Sequence, residues 1–102
     1  MVKRPLYIPD RGDIAWISFD PQRGREQAKR RPAVVLSPYR YNQKTGLALV
    51  CPITAHAKGY PFEVGVRDGK ISGVVLSDHM RSVDWRARRA VLIQKLDPAH
   101  IA

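Results

Sequence analysis

The chain has 102 residues, 44% of them hydrophobic and 26% charged, with 18 Lys and Arg against 9 Asp and Glu for a formal net charge of +9. That length sets one small domain with a modest core, expected to span residues 1–102, and the composition excludes a disordered chain. The charge directs attention to a polyanionic partner, nucleic acid first, with a basic surface that serves only solubility as the competing account.

The apolar runs are short, rich in β-branched residues and broken by turn residues, the pattern of strands. Asp13–Phe19 comes first, and its two alternating faces (Ile14/Trp16/Ser18 and Ala15/Ile17/Phe19) are both apolar enough to be covered. Ala33–Ser37 is the second run. Leu47–Ile53 is the third, with Pro52 expected to mark an edge or the strand's end. It holds the one cysteine, Cys51, which excludes an internal disulfide and reads as a buried, inert thiol. Phe62–Val66 and Gly73–Ser77 flank Asp68-Gly69, a hairpin dipeptide. Arg89–Leu96 is the last candidate strand. Five or six short strands at this spacing predict a mainly β domain, a small barrel or sandwich. Helix signals are weak: a turn or two within Arg25–Arg30, and an N-cap at Asp97-Pro98 near the end of the sequence.

Two segments concentrate basic chemistry. The loop Pro21–Pro32 carries Arg23, Arg25, Lys29, Arg30 and Arg31 around a single acid, Glu26. Guanidinium groups match phosphate oxygens in bidentate geometry, so phosphate binding is one reading; a solvated loop with Glu26 paired to an arginine is the other. His79–Arg89 carries Arg81, Arg86, Arg88 and Arg89 around Trp85. Arginines interleaved with an aromatic suit single-stranded nucleic acid, although Trp85 reads first as core. The turn Tyr39–Gly46 brings Tyr41, Asn42 and Lys44 to the surface as stacking or contact candidates, with hairpin packing as the simpler account. Thr54–Tyr60 offers Thr54, His56 and Lys58 on an exposed loop.

Other classes find no support. The histidines His56, His79 and His100 are unpaired in sequence and nothing has zinc spacing, so neither metal nor cofactor is expected. Walker and Rossmann glycine signatures are absent. Met1–Asp10 contains no apolar stretch of signal length and no run approaches the ~20 apolar residues of a membrane helix, which makes the cytoplasm the expected compartment.

Taken together, these segments resemble the MazF/PemK family of bacterial toxins over nearly the whole chain. Asp10-Arg11-Gly12-Asp13 leads into Trp16 and Phe19-Asp20-Pro21. Gly24–Val35 follows the family signature G-x-E-Q-x-x-x-R-P-x-V-V. Tyr41-Asn42, Lys44-Thr45-Gly46, Pro52-Ile53-Thr54, Lys58–Val64 and Ser82–Arg88 then follow in order. The resemblance implies an SH3-like β-barrel with short helices and a homodimer. It also implies a sequence-specific endoribonuclease that leaves a 2′,3′-cyclic phosphate and a 5′-hydroxyl, and a cognate antitoxin that blocks the RNA groove with an acidic tail. It assigns Glu26 as acid/base residue, Arg31 as catalytic arginine and Thr54 as catalytic threonine. It sets His56, Lys58 and the Tyr39–Thr45 turn, with Tyr41, Asn42 and Lys44, along the RNA path, and the basic segments add Arg25, Lys29, Arg30, His79, Arg81 and Arg86 as RNA-binding candidates. Two departures stand out: His79 replaces a glutamine of the Escherichia-type members, and the sequence stops soon after Asp97-Pro98, where the family continues into a longer C-terminal helix.

The chemistry this implies is attack by the RNA's own 2′-hydroxyl. Glu26 is the candidate base, although the arginines around it oppose that role unless burial or a bound phosphate offsets them. Arg31 serves first as an electrostatic stabiliser, because a guanidinium is a poor proton donor near neutral pH. The rival readings are a CcdB-like poison that binds gyrase without cleaving anything, which would not need the Glu26, Arg31 and Thr54 constellation, and an RNA-binding module that leaves RNA intact.

Overall fold

The computed structural model describes residues 6–19 and 30–97. Among these residues seven strands form one antiparallel sheet: β1 (Asp13–Ser18), β2 (Arg30–Val35), β3 (Leu47–Thr54), β4 (Glu63–Asp68), β5 (Ile71–Leu76), β6 (Arg81–Asp84) and β7 (Val91–Lys95). The order is β4-β5-β3-β2-β1-β7, with β6 beside the first half of β3. Between β2 and β3 lies a helix, α1 (Tyr39–Thr45), and a 3-10 turn (Ser77–His79) separates β5 from β6. The sheet curls until its far strands approach. Gln94 Nε2 on β7 donates to Asp68 O at the β4–β5 tip (2.9 Å), and the Asp97 N–H donates to Asp68 Oδ2 (2.8 Å). The expected small barrel is therefore an antiparallel sheet curled into a half-barrel.

The apolar runs fail to alternate because both sheet faces are covered. One face buries Ala15, Ile17, Phe19, Ala33, Val35, Ala48, Val50, Val83 and Trp85; the other buries Ile14, Val34, Ile53, Val66 and Ile71. Successive residues of one strand thus enter two different cores. Trp85 is core, 5% exposed, and its indole N–H donates to Asn42 O (2.8 Å). Cys51 is buried, and burial together with the charge of Asp78 pushes its thiol pKa up, so it stays protonated.

Three local expectations change. Tyr39–Gly46 is a helix and not a hairpin turn. Pro38 stands at its N-cap, where a missing N–H costs nothing, and Gly46 closes it in the left-handed conformation (φ +74°). Its polar sequence has no amphipathic stripe, because one buried side chain, Asn42, docks it. Pro52 marks no edge: β3 is central, and Pro52 falls where the partner opposite β2 changes from β6, up to Val50, to β5, from Ile53. The segment read as a basic cluster contains β6, a four-residue strand in which only Val83 is buried, too short for its alternation to show. At Asp68-Gly69 the hairpin forms as expected, with Gly69 at φ +59° as the first of two loop residues. The helical turn anticipated before Arg30 and the helix after Asp97 lie outside the described residues.

Candidate active site

The strand faces that bury Ala33 and Val35 on β2, and Ala48 and Val50 on β3, run on past the core. The β2–β3 pairing reaches Ala33 and Pro52, and two residues beyond it on each strand stand Arg31 and Thr54, on the same faces by strand alternation. There they line a cleft of about 380 Å³ together with His56, Lys58, Tyr60, Phe62, Glu63, Leu76 and His79. Five residues singled out from the sequence, Arg31, Thr54, His56, Lys58 and His79, are thus gathered in one place from β2, β3, the loop after it and the 3-10 turn.

Polar geometry fixes the walls. Thr54 Oγ1 accepts the His56 N–H (3.2 Å), and a hydroxyl that accepts one bond can still donate its own hydrogen. Glu63, not anticipated, takes the Lys58 N–H on both carboxylate oxygens (3.0 and 3.1 Å) and the Gly59 N–H on Oε1 (2.9 Å). One carboxylate at the start of β4 therefore holds the loop that presents Lys58. Gly59 is left-handed (φ +82°), as that reversal requires. Tyr60 and Phe62 stack on one another, centroids 5.2 Å apart, and Ser77 donates through both N–H and hydroxyl to Phe62 O. His79 Nε2 lies 3.6 Å from Asp78 Oδ2 on the exposed rim. The cleft so built is cationic, apolar on one wall and open, which suits a phosphodiester with its bases stacked alongside. The signal for Glu63 was present in Lys58-Gly59-Tyr60-Pro61-Phe62-Glu63, but only folding shows what the carboxylate accepts.

Other expected contacts fall elsewhere. Asn42 is fully buried: Nδ2 donates to Pro9 O (2.7 Å) and Ser37 O (3.0 Å), and Oδ1 accepts from Ser37 Oγ. It cannot face RNA, and it belongs to the core. Arg30 spends its guanidinium on Ser18 Oγ (3.1 Å) and Arg89 O (2.7 Å), tying β2 to the turn before β7. Burial first, then the charge of Arg89, lowers its pKa. Lys44 and Arg86 line a separate groove beside α1, with Arg86 over the Trp85 ring (5.8 Å). Tyr41 is exposed on α1, and Arg81 lies over the Phe19 ring (5.6 Å). Glu26, Arg25 and Lys29 lie outside the described residues. Among the described residues no three His, Cys, Asp or Glu side chains converge, and no helix is long and apolar enough to cross a membrane.

Comparison with known proteins points the same way. Residues 10–102 match the model of a family described as PemK-like, MazF-like toxin of type II toxin–antitoxin systems. The endoribonuclease toxin MazF of Escherichia coli is 54% identical over 90 residues, covering 88% of this chain and 79% of that protein. The crystal structure of MazF from Deinococcus radiodurans superposes with a TM-score of 0.81 at 53% identity, over 91% of this chain and 86% of that one. A MazE–MazF complex from the same organism gives 0.84 at 53% identity, over 91% and 85%.

Proposed function

This chain belongs to the PemK-like, MazF-like toxins of type II toxin–antitoxin systems and is an endoribonuclease, and from that footing we propose that it cuts single-stranded mRNA at a specific sequence by metal-independent transesterification. The observation that carries the reading is the meeting of Arg31 and Thr54 in one cleft with Lys58 and His56 at its mouth. In the mechanism, a base takes the 2′-hydroxyl proton, the 2′-oxygen attacks phosphorus in line, and the 5′-oxygen departs. Glu26 serves as the base. Arg31 holds the charge that grows on the phosphoryl oxygens, and the hydroxyl hydrogen of Thr54 donates to one of them. Because the nucleophile belongs to the RNA, neither a protein nucleophile nor a metal-bound water is required. The products are a 2′,3′-cyclic phosphate and a 5′-hydroxyl. The working form is a cytoplasmic homodimer, and a MazE-like antitoxin inhibits it by occupying the cationic cleft.

The test is incubation of the purified protein with a long single-stranded RNA in EDTA, beside Glu26→Ala and Arg31→Ala, with a DNA control and end mapping. Discrete cuts bearing cyclic phosphate ends, slowed by about 10²–10³-fold in Arg31→Ala, are expected. Intact RNA from folded protein, or cleavage that appears only after a divalent cation is added, would overturn the reading.

A further inference from the structure

Beside Arg31 and Thr54 the cleft carries two aromatic rings that the mechanism above leaves unused, Tyr60 and Phe62. They lie within 16° of parallel with centroids 5.2 Å apart, a geometry that stacked π-systems prefer. Phe62 is half-buried and Tyr60 is 52% exposed. Tyr60 is thus the outer member of the stack: one face lies on Phe62 and the other is open to solvent. A single exposed tyrosine on a surface loop needs no explanation, but the backbone that carries this pair is fixed on both sides. Tyr60-Pro61-Phe62-Glu63 is a β-turn with Pro61 at its second position, where the fixed φ of proline suits the turn. The Glu63 N–H closes it on Tyr60 O (3.1 Å). Ahead of the turn, the Glu63 carboxylate accepts from the Lys58 and Gly59 N–H groups. Within it, the N–H and hydroxyl of Ser77 both donate to Phe62 O.

We infer that Tyr60, backed by Phe62, is the platform on which a base of the RNA beside the cut phosphate stacks, an inference that rests on this cleft's being the place of cleavage. A base laid on the open face of Tyr60 extends a stack of two rings to three. Arg31 and Thr54 take the phosphate at the cut, and Tyr60 stands in the same cleft, so the base that reaches it belongs to a nucleotide flanking that phosphate. Every base has a π-face, so this contact holds the strand without reading its sequence. The two rings are stacked before RNA arrives, and little side-chain freedom is left to lose on binding. Tyr60 takes no proton and forms no bond in the reaction. It binds and positions: a base held on the ledge fixes the sugar attached to it, and with it the line of attack on phosphorus.

The deciding experiment uses an RNA oligonucleotide with one mapped cut site, 2′-deoxy at the nucleotide that is cut so that the strand stays whole. 2-Aminopurine replaces the base on one side of the cut or the other, and its fluorescence falls when it stacks. The unmodified protein is expected to quench one of the two oligonucleotides on binding. Tyr60→Phe and Tyr60→Trp should keep both quenching and affinity, whereas Tyr60→Leu should lose the quenching and bind about tenfold more weakly. An abasic residue at the same position should weaken binding to the unmodified protein by a similar factor, and Tyr60→Leu should then add no further loss. On all-ribose RNA the KM of Tyr60→Leu should rise by that factor, with kcat within about threefold of the unmodified protein. No quenching on either side, a loss of affinity in Tyr60→Phe as large as in Tyr60→Leu, or a Tyr60→Leu penalty that persists on abasic RNA would overturn the platform and leave the ribonuclease intact. Cutting of the 2′-deoxy strand by the unmodified protein would sink the transesterification reading instead, while the KM values on intact and abasic RNA would still decide for or against Tyr60.

Discussion

Gly73 on β5 faces Thr54 so closely that a Cβ on it would lie 2.3 Å from the Thr54 carbonyl oxygen and 3.0 Å from its carbonyl carbon. Backbone, not a flexible side-chain tip, occupies the space, so nothing can move aside cheaply. The end of β3 is therefore positioned by the absence of a side chain on its neighbour. Gly73→Ala should push Thr54 and Ala55 away from β5 and cost about 1–3 kcal/mol of stability, the range for forced overpacking. RNA cleavage per folded molecule should fall as well, because the Thr54 hydroxyl loses its place in the cleft it shares with Arg31. Urea unfolding and initial rates on the same samples check this. Normal activity per folded molecule would show that Thr54 does not depend on this approach.

Glu63 makes a related case through hydrogen bonding. Its carboxylate is the common acceptor for the Lys58 and Gly59 N–H groups. Glu63→Gln keeps the shape but turns an amide NH₂ toward one of those donors. Substrate affinity should weaken by about tenfold, since a hydrogen bond to a charged group contributes ~1.5–3 kcal/mol and part of it is lost. The turnover number should change much less, because Arg31 and Thr54 are carried by strands and not by this loop. Titration of RNA binding against the Arg31→Ala background separates the two parameters. A fall in turnover with unchanged affinity would contradict the loop-clamp role.

Asn42 gives the sharpest contrast between sequence and structure. Asn42→Ala removes donors to Pro9 O and Ser37 O and strands Ser37 Oγ, all in buried positions. An expected loss of about 2–3 kcal/mol follows from leaving such groups unsatisfied, read as a lower melting temperature. Below that transition, RNA affinity should equal that of the unmodified protein. Weakened RNA binding by fully folded Asn42→Ala would restore this residue to the RNA path.

Those three residues show where legibility ended. Strand runs such as Ala33–Ser37 and Leu47–Ile53 were readable because β-branched periodicity is local, and the Asp68-Gly69 hairpin because turn chemistry is local. Arg31 and Thr54 were readable as candidate site residues through the family signature, and the fold places both along one cleft. Helix α1 was not readable: it has no apolar stripe, and its anchor is a buried amide whose partners, Pro9 and Ser37, lie outside it. Glu63 and Gly73 act by meeting backbone from another segment, which no periodicity encodes. Lys44 and Arg86 were legible as cations, but their placement in a second groove is set by the docking of α1 on Trp85.

A charged network at the far end of β1 predicts the pH dependence of stability. Asp13 is buried; its Oδ2 accepts from Tyr7 Oη (2.6 Å) and the Asp10 N–H (3.0 Å), and Lys95 Nζ pairs with Oδ1. The hydrogen bond to Asp13 chiefly holds the Lys95 pKa above its ordinary 10.5. A raised pKa means that Lys95 stabilises the fold in full below 10.5, and that this contribution disappears as the pH rises through the folded-state value. Tyr7 acts in the same direction, since burial first and Asp13 next raise its phenol pKa, so ionisation at alkaline pH favours the unfolded chain. Asp10 has the opposite sign: the Tyr39 N–H chiefly lowers its carboxyl below 3.8, and its contribution is present above that pH and lost below it. Lys95→Met should therefore destabilise the protein by about 1 kcal/mol at neutral pH, a figure kept small because the ammonium is exposed and screened. The gap to the unmodified protein should close as the pH climbs beyond 10.5 and the native ammonium loses its proton. Urea midpoints measured for both proteins across that range decide the matter: a gap that persists undiminished in strong alkali would mean that Lys95 stabilises β7 through its aliphatic stem and not through its charge.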